Sequence, residues 1–124
     1  MSAESKKRKR LLVCVSCPRA LEPALADYVG GEVTRLFGGV TFLTGLGFWS
    51  SDGAEFKNRY ESDVQKENTL VMLLSVMPDR EEEALCLIEK TFAAAKSKFA
   101  LSYQSIHVES QDVTANHFQI ACDT

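Results

Sequence analysis

Asn68-Thr69-Leu70-Val71-Met72-Leu73-Leu74-Ser75-Val76-Met77-Pro78-Asp79-Arg80-Glu81-Glu82-Glu83 is the stretch that decides the fold. Its first half holds the continuous core Leu70 to Leu74, bounded by polar residues and a proline, which suits a strand covered on both faces. Pro78 stops the strand because it has no N–H to give to a ladder. Asp79 with Glu82 three residues on forms an acidic version of the capping box, and Glu81 to Glu83 favour the positive end of a helix dipole. A helix is therefore expected from Arg80 to about Phe99. Leu85, Ile88, Phe92, Ala95 and Phe99 share one face, and Lys90, Lys96 and Lys98 lie toward the C-terminal half.

Upstream, Leu11 to Ser16 is a short apolar run suited to a central strand. Pro18 and Pro23 each fit a first helical turn, and Leu25, Tyr28, Val29, Val33 and Leu36 follow at helical spacing as far as Phe37. Gly30-Gly31 interrupts that stripe at about 1 kcal/mol per glycine relative to alanine, so a break or a close backbone contact is expected. Gly38-Gly39 supplies the left-handed residue that ends a helix. Val40 to Thr44 is strand-like, and the pattern continues through Gly45-Leu46-Gly47-Phe48-Trp49, where the glycines suggest a bulge, a sharp twist or a close approach. Ser51-Asp52-Gly53 marks a turn, and the polar Ala54 to Lys66 reads as a hairpin arm or a projecting loop. Downstream, Ser105 to Glu109 is a short strand with Ile106 and Val108 on one face, and Phe118 to Cys122 is an optional last strand.

The order β-α-β-β-α-β has an economical solution. It is an α+β ferredoxin-like plait, an antiparallel sheet with two helices on one face. The other face stays bare unless another chain covers it, and the two-sided apolarity of Leu70 to Val76 makes a homo-oligomer the expectation.

The 124 residues, 45% hydrophobic and 25% charged, support one domain, read as 10–124 behind a basic flexible tail at 1–9. The apolar run Leu70 to Met77 is far shorter than the roughly 20 residues a membrane helix needs. Lys6-Lys7-Arg8-Lys9-Arg10 leads into only a few apolar residues before Pro18, which is no signal peptide, so the expectation is a soluble cytoplasmic protein. The net charge of −3 is unevenly spread. Residues 1–10 carry five basic side chains and one acid (+4), whereas the rest carries nine basic and sixteen acidic ones (−7). An acidic body repels phosphate backbones, so nucleic acid is expected only through the polyanion-binding tail Lys6, Lys7, Arg8, Lys9 and Arg10. That run also matches a simple nuclear-localisation pattern.

Phe37-Gly38-Gly39-Val40-Thr41, Gly45-x-Gly47-x-Trp49, Glu67, Pro78-Asp79 and Gln104 together resemble a scattered group of small bacterial and phage ferredoxin-like proteins of the DUF3574 kind. The likeness covers roughly residues 11–109. It implies a Trp closing the second strand (Trp49), an acid opening the third (Glu67) and a Gln ahead of the last core strand (Gln104). The chain departs from that pattern in its longer Trp49-to-Glu67 connection and in Gly30-Gly31. The group has no established activity, so the resemblance bears on fold.

Trp49, Glu67, Gly45 and Gly47 could line one pocket. Trp supplies a flat apolar wall, glycine lets backbone amides approach a ligand, and a carboxylate orients it. The competing reading makes Trp49 a core or interface aromatic and the glycines a bulge. Arg59 and Tyr60, on the long connection, and Gln104 complete the candidate ligand-binding set. His107 should point away from Ile106 and Val108, with Glu109 on its own side. Cys14-Val15-Ser16-Cys17 lacks the second ligand pair that zinc requires, so no metal and no cofactor is expected, and no catalytic set stands out. The leading expectation is a non-enzymatic, oligomeric binding module for a small ligand, including a nucleotide-like one, or for a protein partner, as in a phage-type host-interaction or anti-defence protein. The alternatives are a small enzyme using Trp49, Glu67 and His107, and a nucleic-acid binder working through the tail.

Overall fold

A computed structural model describes residues 6–52, 58–60 and 63–121. Four strands, β1 (Lys7–Ser16), β2 (Thr41–Ser50), β3 (Val64–Val76) and β4 (His107–Thr114), form one antiparallel sheet in the order β2-β3-β1-β4. Helices α1 (Glu22–Phe37) and α2 (Glu81–Lys98), each entered through a short 3-10 turn, cross one face of it. This is the α+β ferredoxin-like plait expected from the order of elements.

The core follows from two periods. Leu11, Val13 and Val15 alternate along β1 and stand opposite Leu74, Met72 and Leu70 of β3, all buried. Leu25, Val29 and Val33 of α1, and Ala84, Ile88, Phe92 and Ala95 of α2, recur every three or four residues and cover that row. The stripe is narrower than the sequence suggests. Leu36 and Leu85 are exposed, because the sheet reaches only the middle of each apolar arc.

Several expectations change. β1 begins at Lys7, so Lys7, Arg8 and Lys9 are ladder residues rather than part of a flexible tail. The reason lies in β4, which runs to Thr114 instead of ending at Glu109. It sets Gln111 and Asp112 opposite Arg10 and Lys9, and Lys9 pairs with Asp112 at 2.6 Å. α1 runs unbroken through Gly30-Gly31; a Cβ on Gly30 would stand 3.2 Å from Cε2 of Phe42, so the close-contact reading holds. Gly38, at φ +88°, ends the helix as its left-handed cap.

The Asp79 capping box does not form, because Pro78–Arg80 is itself a 3-10 turn. Arg80 ties the helix ends together instead. It grips Glu83 with two nitrogens, donates to the Leu36 carbonyl at 2.9 Å and lies 4.4 Å over the Phe37 ring. Residues 115–121 form no strand, and Cys122 lies outside the described residues.

The β2–β3 ladder continues without a bulge from Thr41 opposite Leu73 to Ser50 opposite Val64. β1 ends at Ser16 opposite Thr69, so beyond that row β2 and β3 project as a two-stranded arm. The hairpin-arm reading of the long connection therefore holds for Val64 to Lys66, while 53–57 and 61–62 lie outside the described residues.

Candidate functional site

The helix-free face of the sheet has an apolar centre. Ladder partners share a face, which lines up Thr41, Leu73, Leu12 and Glu109 in one row and Leu43, Val71, Cys14 and His107 in the next. Beyond these rows the face turns polar at Ser16, Thr69, Gly45 and Gly47. There the arm on one side and the Ser102–Ser105 segment on the other bound a groove of about 1150 Å³.

Gly45, Gly47, Trp49, Tyr60, Glu67 and Gln104 all line this groove, and His107 lies at its inner end. Arg59 does not line it. Trp49 and Glu67 come together because both sit on the bare side of the arm, Glu67 opposite Gly47 and Trp49 opposite Gln65. Gly47 has a steric reason, since a Cβ there would meet the Thr69 hydroxyl at 2.5 Å. The glycine thus leaves room for that hydroxyl on the groove floor. Sequence reasoning missed Ser16, Thr69 and Tyr103; only the register carries Ser16 and Thr69 to the groove.

Among the described residues the lining holds one carboxylate, Glu67, and no lysine or arginine. His107 Nε2 lies 2.6 Å from Glu109 Oε2, with both side chains exposed. Cys14 is half-buried on the groove side, and burial, helped by the Glu109 charge, pushes its thiol up. Cys17 is buried in the core on the opposite face, where burial and then Glu22 push it up in turn. Strand alternation thus separates the two thiols of the C-x-x-C and holds both in the protonated, unreactive form. Among the described residues no three His, Cys, Asp or Glu side chains are grouped to hold a metal.

Behind the groove, Arg19 binds the base of the arm to the start of α1. Its guanidinium donates to Asn68 Oδ1 at 3.1 Å and to the Gly45 carbonyl at 3.4 Å, and it lies 3.1 Å from a carboxylate oxygen of Glu22. Glu22 is only 2% exposed, and neither of its carboxylate oxygens accepts a hydrogen bond.

Tyr103 lines the groove with a buried ring and donates its hydroxyl to the Phe92 carbonyl, which fixes the segment leading to Gln104. Burial, with a smaller contribution from Cys17, pushes its phenol up from 10.0 to about 12. Below pH 10 both folded and unfolded chains keep this proton. Between 10 and about 12 only the unfolded chain releases it, so stability falls as pH rises through that window. An ultraviolet titration is expected to show a tyrosine phase near 12 that Tyr103→Phe removes. Persistence of that phase in the variant would contradict the assignment.

Neither a family model nor a curated protein matches the chain. Solved structures do. A phage SAM lyase in complex with S-methyl-5′-thioadenosine superposes with a TM-score of 0.50 at 10% identity, covering 96% of this chain and 98% of that one. CPII, a nitrogen regulatory PII-like protein from Thiomonas intermedia K12 bound to ADP, AMP and bicarbonate, gives 0.42 at 13% identity over 91% and 97%. CutA from Synechococcus elongatus PCC7942 gives 0.42 at 14% identity over 91% and 80%. The chain is similar to these proteins in fold. The superposition on the phage lyase is one of fold and does not single out the DUF3574 kind.

Among the described residues no helix is long and apolar enough to cross a membrane.

Proposed function

We propose that the chain is a cytoplasmic binding module that assembles with copies of itself and captures a small nucleoside-like ligand in the groove. One observation carries the reading: Trp49, Tyr60, Glu67 and Gln104, far apart in sequence, converge with the two arm glycines on one groove large enough for a drug-sized molecule. Trp49 and Tyr60 offer ring surfaces for a flat heterocycle, while Glu67 accepts hydrogen bonds from ring N–H groups or sugar hydroxyls. With Glu67 as the one carboxylate and no lysine or arginine among the described lining residues, the groove favours a neutral or cationic ligand over a phosphorylated one. The phage lyase carries an adenosine derivative on this fold, which makes adenosine-type compounds the first ligands to test. The sequence likeness to DUF3574-kind proteins around Gly45–Trp49 and Glu67 belongs to the same proposal.

The test uses the chain's single tryptophan, Trp49, as its probe. Titration with adenosine, S-methyl-5′-thioadenosine and AMP is expected to quench its fluorescence with the two nucleosides ahead of AMP. Ligand at 100 times Kd should stabilise the fold by about 2.7 kcal/mol. Trp49→Ala should weaken calorimetric binding at least about tenfold, the scale of a lost aromatic contact. Unchanged binding in that variant would sink the assignment.

The catalytic alternative shares the groove, since Trp49, Glu67 and His107 all line it. It requires turnover of a bound ligand that Glu67→Gln abolishes with the fold intact. Nucleic-acid binding through the basic run is disfavoured, because Lys7 to Arg10 are strand residues and Lys9 is engaged by Asp112.

A further inference from the structure

Two features of the sheet find no ladder partner among the described residues. The first is the outer edge of β2. Edge strands are normally guarded by charges, proline or a bulge, because a free row of N–H and C=O groups recruits another strand. Thr41–Ser50 is ten residues long, contains no charged residue and no proline, and pairs with β3 in an unbroken register. The other edge strand, β4, carries Glu109 and Asp112. On the helix side of the arm, Leu46 and Phe48 of β2 are exposed by 53% and 63%.

The second feature is the segment after β4. Its last ladder contact is Ala115 N–H to the Lys6 carbonyl, and every residue from Asn116 to Ala121 is exposed. His117-Phe118-Gln119-Ile120 alternates polar and apolar like a strand with one buried face, yet Phe118 and Ile120 are exposed by 76% and 88%.

The segment cannot reach β2 of its own sheet. Thr114 stands opposite Lys7, nine residues along β1 from the Ser16 row at the base of the arm, or roughly 30 Å. β2 also lies three strand spacings away, roughly 14 Å. The four residues from Thr114 to Phe118 span at most about 14 Å.

We propose that residues 117–121 of one copy pair with the outer edge of β2 of a second copy, seating Phe118 and Ile120 beside Leu46 and Phe48. Both apolar pairs are spaced i, i+2, so they fall on one face of the extended sheet. The alternate side chains, His117 and Gln119, then face the groove side next to Gly45 and Gly47, and the second copy adds an imidazole and an amide to the binding site. The strand exchange stands on the edge and the segment alone; only the contribution to the groove rests on the ligand reading above.

The test compares the full chain with a chain ending at Ala115, with Phe118→Asp and with Phe48→Lys, by native mass spectrometry and amide hydrogen exchange. The altered positions are exposed, so each variant should keep the circular dichroism spectrum of the full chain. The full chain is expected to be oligomeric, with slow exchange at residues 44–48. Each variant should weaken self-association by roughly 100-fold or more and release those amides. A full chain that is monomeric at 100-fold the usual micromolar working range would overturn the proposal. So would a truncated chain that assembles as tightly as the full one, since the edge would then be taken by another strand, such as a second β2. A chain that assembles as described but binds no nucleoside removes the ligand reading and leaves the strand exchange in place.

Discussion

Phe92→Ala is expected to cost about 3–5 kcal/mol, the range for truncating a fully buried aromatic. Phe92 heads the largest fully buried side chains, on the face of α2 that lies against the sheet core. Its ring meets Tyr103 edge-on at 6.4 Å between centroids, and its carbonyl accepts the Tyr103 hydroxyl. The truncation therefore opens a cavity between helix and sheet and also loosens the segment that carries Gln104 into the groove. Domains of this size are stable by about 5–15 kcal/mol, so the loss takes a large share of the total. Urea unfolding should show the midpoint falling steeply, whereas Lys90→Ala on the exposed face of α2 should stay within about 0.5 kcal/mol of the parent. A Phe92→Ala midpoint close to the parent would contradict the packing described here.

Arg19→Ala is expected to cost about 2–3 kcal/mol, an unusual figure for a side chain that is half exposed. The loss comes from what Arg19 leaves behind. Glu22 stays buried without its 3.1 Å counter-charge, and neither carboxylate oxygen has a hydrogen bond to fall back on. The Asn68 and Gly45 contacts at the base of the arm are lost as well. Glu22→Gln should be milder, about 1 kcal/mol or less, because it removes the desolvated charge and lets Arg19 turn to water. Combining the two changes should recover most of the Arg19→Ala loss in a double-mutant cycle measured by urea unfolding. Strict additivity would mean that the pair is not coupled.

The candidate site was legible in the sequence wherever the residue type itself carried the signal. Trp49, the glycines at 45 and 47, and Glu67 stand out as a flat ring, a missing Cβ and an acid at a strand opening. The structure brings them into one groove. Arg59 shares the long connection with Tyr60, but a shared loop does not give two side chains a shared direction. Thr69 and Ser16 carry no signal of their own, because their position in the groove depends on which residue each strand sets opposite its neighbour. Arg19 and Glu22, three residues apart at the start of α1, carry no sequence signal that sets them apart from other charged residues. That Glu22 is buried depends on α1 settling on the sheet, a contact made by residues distant in sequence.

The limits of β1 and β4 show the same division. A run of five basic residues is a poor strand by composition, and it reads as a tail until a partner strand supplies ladder bonds and Asp112 supplies a counter-charge.

What the sequence by itself determined is the order of elements, the apolar strand at its centre, the two helix faces and the plait that accommodates them. These follow from periodicity, proline and glycine, which act within a few residues of chain. Only the tertiary structure decided where strands start and stop, which residues share the groove, and that the β2 edge and the Phe118–Ile120 segment have no ladder partner among the described residues. Register and edge position arise from pairing between residues 14 to 67 positions apart, and no local preference encodes which face of a sheet another chain must cover.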